Sequence, residues 1–269
     1  MADTKIIVLH LKPHMDDVVG AWLLCRYGDF GGCQFQFISV KQPVNNPDAD
    51  SSCVYVGVGL SRYDEHTGKM GQTAATLVWN DIKKSLVVTT VRYKALERLV
   101  DWTKKEDLGL LKSSQWHDFS VSAIFSGAST LFNEVTNEQY IQATFFILDS
   151  LVAYYENEAL LEIDWHARVE FSSSWGKGIA LLTKAKGLDG FAYQKGFILT
   201  VSINPMDNSC SIKAAAESDI DLTTVFNRLK DQYSNRDWFL HHSKKMIITG
   251  GIGQLNNGFS LKDIISLMM

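Results

Sequence analysis

Four side chains that can bind a metal ion or move a proton fall within eight residues near the N-terminus: His10, His14, Asp16 and Asp17, in HLKPHMDD. Imidazole and carboxylate are the donors that Zn, Mn or Fe ions take in proteins. A structural reading stands beside that one, since a polar strand-to-helix turn is common and Asp16 or Asp17 could cap the helix that follows. A second group, Arg62-Tyr63-Asp64-Glu65-His66, again joins acids to imidazole. Alone it reads as an exposed polar turn, but both groups directly follow a candidate strand. If those strands are neighbours in a parallel sheet, their ends lie about 5 to 10 Å apart. The two groups could then share a two-metal site with ions about 3.5–4 Å apart. Farther along, His241, His242, Lys244 and Lys245 put two imidazoles and two cations into five residues. That cluster suits phosphate contacts, or a solvated basic turn before a strand. Gly250-Gly251-Ile252-Gly253 could present backbone N–H groups to an anion, although a glycine-rich turn alone says little.

The elements that must position these groups are visible in the hydrophobic pattern. Residues 6–9 (IIVL) are apolar with no helical periodicity and predict a short buried strand. Pro13 breaks it, and residues 18–24 (VVGAWLL) suit a helix. His10, His14, Asp16 and Asp17 thus sit beyond the carboxyl end of a strand, where open α/β sheets bind ligands. Residues 33–40 alternate as a second strand, 43–52 form a polar loop, and 53–60 (CVYVGVGL) predict a third strand. Its glycines imply a backbone that something approaches closely. Strand, helix, strand, loop, strand fits a parallel sheet with crossovers. Helices are predicted over 72–83 and 94–105, and over 119–132 with an interruption at Gly127. Residues 139–171 read as one long helical stretch dense in aromatic and apolar residues, suited to core or to an oligomer face.

The texture changes near Ser172. Short strands at 179–183 and 197–204, a turn at 205–208 and a return strand at 209–216 follow. A helix over 222–232, a strand over 245–249 and a helix capped by Ser260 complete the chain. The predicted class is α/β: an N-terminal parallel-sheet domain over residues 1–173 and a smaller C-terminal α+β domain over 174–269.

Composition narrows the setting. At 269 residues, 46% hydrophobic and 21% charged, the chain has the make-up of a soluble globular protein. A net charge of −4 argues against a broad basic nucleic-acid surface and leaves room for a local basic groove. No apolar run reaches the roughly 20 residues of a membrane span. The opening MADTKIIV runs straight into a strand and does not read as a signal or transit peptide. Cys25, Cys33, Cys53 and Cys210 have no paired metal spacing and read as reduced thiols of a cytoplasmic protein. His117 and His166 lack partners nearby in sequence and read as surface or packed histidines.

The ordered motifs resemble the DHH phosphoesterase superfamily. His10-x-Lys12-Pro13-His14-Met15-Asp16 is similar to its first motif, His-x-Asn-Pro-Asp-x-Asp, with histidine in place of the first aspartate. That replacement resembles the Phe-His-x-Asp-Glu motif of the melanocyte-proliferating-gene family of exonucleases. Val54-Tyr55-Val56-Gly57 lies where that family has Val-Asp-Val-Gly, and Arg62-Tyr63-Asp64-Glu65-His66 where it has Arg-Tyr-Asp-His-His. Thr73 to Trp79 resembles its Ser-Ser-Ala-Gly-Leu-Val-Tyr. Leu99-Val100 and Glu106-Asp107-Leu108-Gly109 match its Phe-Val and Val-Asp-Asn-Gly at equal spacing, and Phe239-Leu240-His241 resembles its Phe-Val-His.

The resemblance implies that His10 and His14 hold one divalent ion, Mn or Mg, and that Asp16, Glu65 and Asp107 hold a second. It places His66, with Asp64, at the scissile phosphate, and a second-domain group such as His241, Lys244 and Lys245 on the substrate. The substrate implied is a nucleotide or short nucleic acid. Two departures weaken the implied site: Tyr55 stands where a carboxylate bridges both ions, and Glu65 stands where the family has histidine. Asp17, Asp48 or Asp50 could supply the missing carboxylate, or the site holds one ion. A binding or scaffold protein with a decayed site, and a phosphatase of small metabolites, are the competing expectations.

Overall fold

The computed structural model describes residues 4–68, 70–111, 120–131, 135–250 and 259–269. The fold is mixed α/β, with one parallel and one mixed sheet. The chain divides into two compact units, Met1–Glu156 and Asn157–Met269.

In the first unit β1 (Ile6–His10) lies between β2 (Gln34–Ile38) and β3 (Cys53–Tyr55), with both pairings parallel. A central strand covered on both faces must be apolar along its length, and Ile7 to Leu9 are buried accordingly. β3 is shorter than the predicted third strand. Past Tyr55 only an isolated bridge joins Val56 to Tyr63, because Gly57 and Gly59 turn the backbone through positive φ. The helix α1 (Met15–Tyr27) is buried on every side from Met15 to Leu24. It packs on α2 (Ala74–Ile82) and α3 (Thr90–Asp107). The side chains predicted to face inward on α3, Leu96, Leu99, Val100 and Thr103, are buried.

Gly127 does not interrupt α4 (Val121–Thr130). The helix runs through it, since one glycine costs a helix only about 1 kcal/mol against alanine. The next helix, α5 (Asn137–Asp164), buries Tyr140, Ile141, Phe145, Leu148 and Val152 in the core of the first unit. It stops well short of residue 171. A 3-10 turn over Trp165–Ala167 ends it, and Val169–Ser173 forms β4. Pairing with β5 (Gly176–Leu182) overrides local propensity there: Phe171 folds over Gly178, where a Cβ would lie 2.3 Å from the ring.

The second unit is a six-stranded sheet in the order β4-β5-β6-β7-β9-β8. Neighbours are antiparallel except β5 and β6 (Leu199–Ile203), which are parallel and separated in the chain by α6 (Leu188–Tyr193). The predicted hairpin joins β6 to β7 (Cys210–Ala214). Alternating residues Leu199, Val201, Ile212 and Ile247 share a core with α7 (Thr223–Gln232) and α8 (Leu261–Ser266). β8 (Phe239–Leu240) and β9 (Met246–Thr249) end the sheet. The short α6 and β8 carry too few residues for a periodic signal and are not legible in the sequence.

Candidate metal centre

Register brings the two donor groups together. Val8 pairs with Tyr55, and the Val56 N–H donates to the Val8 carbonyl at 3.0 Å. His10, two residues on along β1, and Gly57, two residues beyond Tyr55, therefore reach the same carboxyl edge of the sheet. His14 is the N-cap of α1, and Asp17, at the third helical position, closes a capping box by accepting the His14 N–H at 2.8 Å. The same Asp17 oxygen lies 2.9 Å from His10 Nε2, while His10 Nδ1 is 2.8 Å from the Leu11 carbonyl. The His10 and His14 rings meet edge-on at 4.9 Å. One donor atom from each of His10, His14 and Asp17 can be chosen so that all lie within 4.8 Å of one another, and Asp64, Glu65 and His66 form a second such group. Both groups line one cleft of about 920 Å³ within the first unit, with Lys12, Lys41 and Gly57 also on its wall.

Asp64 is buried and saturated. It accepts the Leu60 N–H at 2.7 Å and the His66 N–H at 3.0 Å, and it sits 2.9 Å from His66 Nδ1. The exposed His66 ring is thus held by one nitrogen, leaving Nε2 for chemistry. The hydrogen bond to Asp64 raises the His66 pKa against the effect of burial, and the Glu65 charge raises it further. Burial pushes the Glu65 carboxyl up, and its Oε2 is a buried atom with no hydrogen-bond partner among the described residues. For His10, burial lowers the pKa but the hydrogen bond and charge of Asp17 outweigh it, and the net shift is upward.

The other predicted residues fall in varied places. Asp16 is buried, 2% exposed, but it is not among the cleft-lining residues. Its Oδ2 accepts the N–H of Ala74, the first residue of α2, at 3.0 Å. Burial, then the charges of Asp17, Asp107 and Glu65, push its carboxyl up to about 9. Asp107 closes α3; burial and Asp17 raise its pKa, while His14 and His66 oppose the shift. Tyr55 is half-buried and outside the cleft lining, its ring against the Gly59 backbone. In the second unit, His241, Lys244 and Lys245 occupy the turn between β8 and β9. His241 Nδ1 lies 2.8 Å from Ser243 Oγ, its ring lies 3.9 Å from that of His242, and Lys244 pairs with Asp221 at 2.9 Å. His166 is exposed in the 3-10 turn after α5. His117 and residues 251–253 lie outside the described residues.

The sequence resemblance assigns Asp16 to a second ion with Glu65 and Asp107; the α1 carboxylate next to His10 and His14 is Asp17. The glycines of 53–60 do mark a close approach, because what reaches Gly57 is the Asp17 carboxylate.

The donors fit a divalent ion. Two imidazoles and a carboxylate in one group, and two carboxylates and an imidazole in the other, match borderline and hard divalent cations. Glu65 Oε2 supplies a buried acceptor that nothing in the described protein satisfies. No protein-family model and no curated protein matches the chain. Several solved structures align with it at low similarity, among them two that cover 98% of this chain. One is a DHH domain described as a member of a family of ribosomal proteins, at 12% identity, a TM-score of 0.34, and 98% and 85% coverage of this chain and that one. The other is a pGpG-specific phosphodiesterase from Vibrio cholerae, at 11% identity, a TM-score of 0.30, and 98% coverage of both chains.

Proposed function

We propose that this protein is a metal-dependent phosphoesterase of the DHH type that hydrolyses a phosphodiester in a nucleotide or short nucleic acid. One observation carries the reading: two groups of ion-binding side chains, from separate strand ends, face one cleft of about 920 Å³. His10, His14 and Asp17 would hold one divalent ion, Mn or Mg, with Glu65 and Asp107 the candidates for a second. Such ions supply a hydroxide near neutral pH and offset charge on the phosphoryl oxygens. His66 would present Nε2 to the leaving oxygen as proton donor, and Asp64 holds the ring from behind. Lys12 and Lys41 bring positive charge to the cleft wall. The reading extends to a metal-holding DHH-like first unit, Met1–Glu156, and a substrate-gripping second unit, Asn157–Met269, with His241, Lys244 and Lys245 on the substrate, in a cytoplasmic enzyme related to the exonuclease family.

A second reading, a binding protein with a decayed site, is favoured by Tyr55 and by the commitment of Asp16 to Ala74. Hydrolysis of bis-p-nitrophenyl phosphate and of a dinucleotide, with Mn²⁺ and after chelation, separates the two. We expect slow, Mn-dependent turnover that His66→Ala lowers by about 10²–10⁴-fold, the usual worth of general acid catalysis. Metal binding with no turnover on either substrate would select the binding protein.

A further inference from the structure

We infer that Asp17, not Asp16, is the carboxylate that α1 contributes to the metal centre, and that Gly57 has no side chain because Asp17 occupies the space. The inference rests on the metal reading above and specifies its donors. Successive residues on a helix point about 100° apart, so the two adjacent aspartates leave α1 in different directions. Asp17 is the one that lines the cleft: its Oδ2 lies 2.9 Å from His10 Nε2 and accepts the His14 N–H at 2.8 Å. Its Oδ1 lies against the Gly57 backbone, where a Cβ would stand 1.5 Å from that oxygen and 2.6 Å from the carboxyl carbon. Gly57 also has a φ of +64°, a conformation that residues with side chains rarely adopt. The backbone there is therefore shaped around this carboxylate.

Asp16 has a different task. Its Oδ2 receives the N–H of Ala74, and both residues are buried, at 2% and 0% exposure. Turning Asp16 into the cleft would strand that N–H at the start of α2, a cost of about 1–3 kcal/mol for a buried donor. His10 is meanwhile oriented for Asp17. A ring Nδ1–H given to the Leu11 carbonyl leaves Nε2 as the ligating atom, the arrangement in which metal-bound histidines are held. Asp17 also faces the second donor group through the same cleft, and its charge reaches Glu65, His66 and Asp107.

The test is calorimetric titration of chelator-stripped protein with Mn²⁺. The natural chain should bind, Asp17→Asn should weaken the tightest site by more than the roughly 10–100-fold that losing a supporting group costs, and Asp16→Asn should leave that site unchanged. Asparagine keeps an acceptor for the His14 N–H, and circular dichroism checks that the variant folds. The natural chain gives a second readout: substoichiometric Mn²⁺ should broaden the Gly57 amide resonance before that of Ala74. Unchanged binding in Asp17→Asn, loss of binding in Asp16→Asn, or broadening of Ala74 first would each overturn the assignment to Asp17 and leave the metal reading standing. Absence of Mn²⁺ binding by the natural chain would overturn both.

Discussion

A buried carboxyl that is not an ion pair should reveal itself in the pH dependence of stability, and Asp16 is such a group. It is 2% exposed and surrounded by the charges of Asp17, Asp107 and Glu65, with its carboxyl pushed up to about 9 from 3.8. Between those values the folded chain holds a proton that the unfolded chain has released, so stability falls as pH rises. The contribution is fully present below 3.8 and lost as pH passes through about 9. We expect metal-free protein to melt at lower temperature at pH 8.5 than at pH 6, and Asp16→Asn to flatten that slope and raise the pH 8.5 melting temperature. Calorimetric melts of both proteins with chelator present are the check; parallel pH profiles would show that Asp16 ionises without cost.

Among the elements, α2 is the one on which the centre leans. Its N-terminus receives Asp16 through Ala74 and is closed by a reciprocal box in which Thr73 and Thr76 bond each other's backbone N–H groups, at 3.3 and 2.8 Å. Thr73 is fully buried. Thr73→Ala should cost about 0.5–2 kcal/mol, the worth of an N-cap, with the upper part expected because the freed N–H cannot reach water. Denaturant unfolding gives the number, and a loss below that range would mean that Asp16 alone sustains the helix start. The end of α5 teaches the opposite lesson. Val169 and Phe171 continue an apolar helical texture in sequence, yet they pair with β5 because Gly178 leaves room for the Phe171 ring.

At the scale of the whole molecule, metal and fold are coupled. The donors come from β1, α1 and the turn after β3, segments that meet only when the parallel sheet is assembled. An ion that binds the folded chain alone stabilises it by mass action, about 2.7 kcal/mol at a hundredfold excess over its dissociation constant. Adding Mn²⁺ should therefore raise the melting temperature in proportion to the logarithm of its concentration, and chelator should reverse the gain. A melting temperature indifferent to Mn²⁺ would mean that the cleft does not hold the ion. Among the described residues no helix is long and apolar enough to cross a membrane.

The parallel pairing of β1, β2 and β3, the capped start of α8 and the β6-β7 hairpin are legible in the sequence because each depends on local periodicity or turn chemistry. So is the placing of two acid-imidazole groups after two strands, since a strand's carboxyl end is set by where its apolar run stops. What sequence alone leaves open is which aspartate faces the cleft. Asp16 and Asp17 are neighbours of one residue type, and their directions are decided by the rotation of α1 as its buried faces pack against α2 and α3. The same packing brings Ala74 to Asp16 and Gly57 to Asp17. Partners 58 and 40 residues away along the chain leave no mark in a local pattern. Tertiary structure decides between them because only there do a free N–H and an absent side chain become neighbours of one carboxylate or the other.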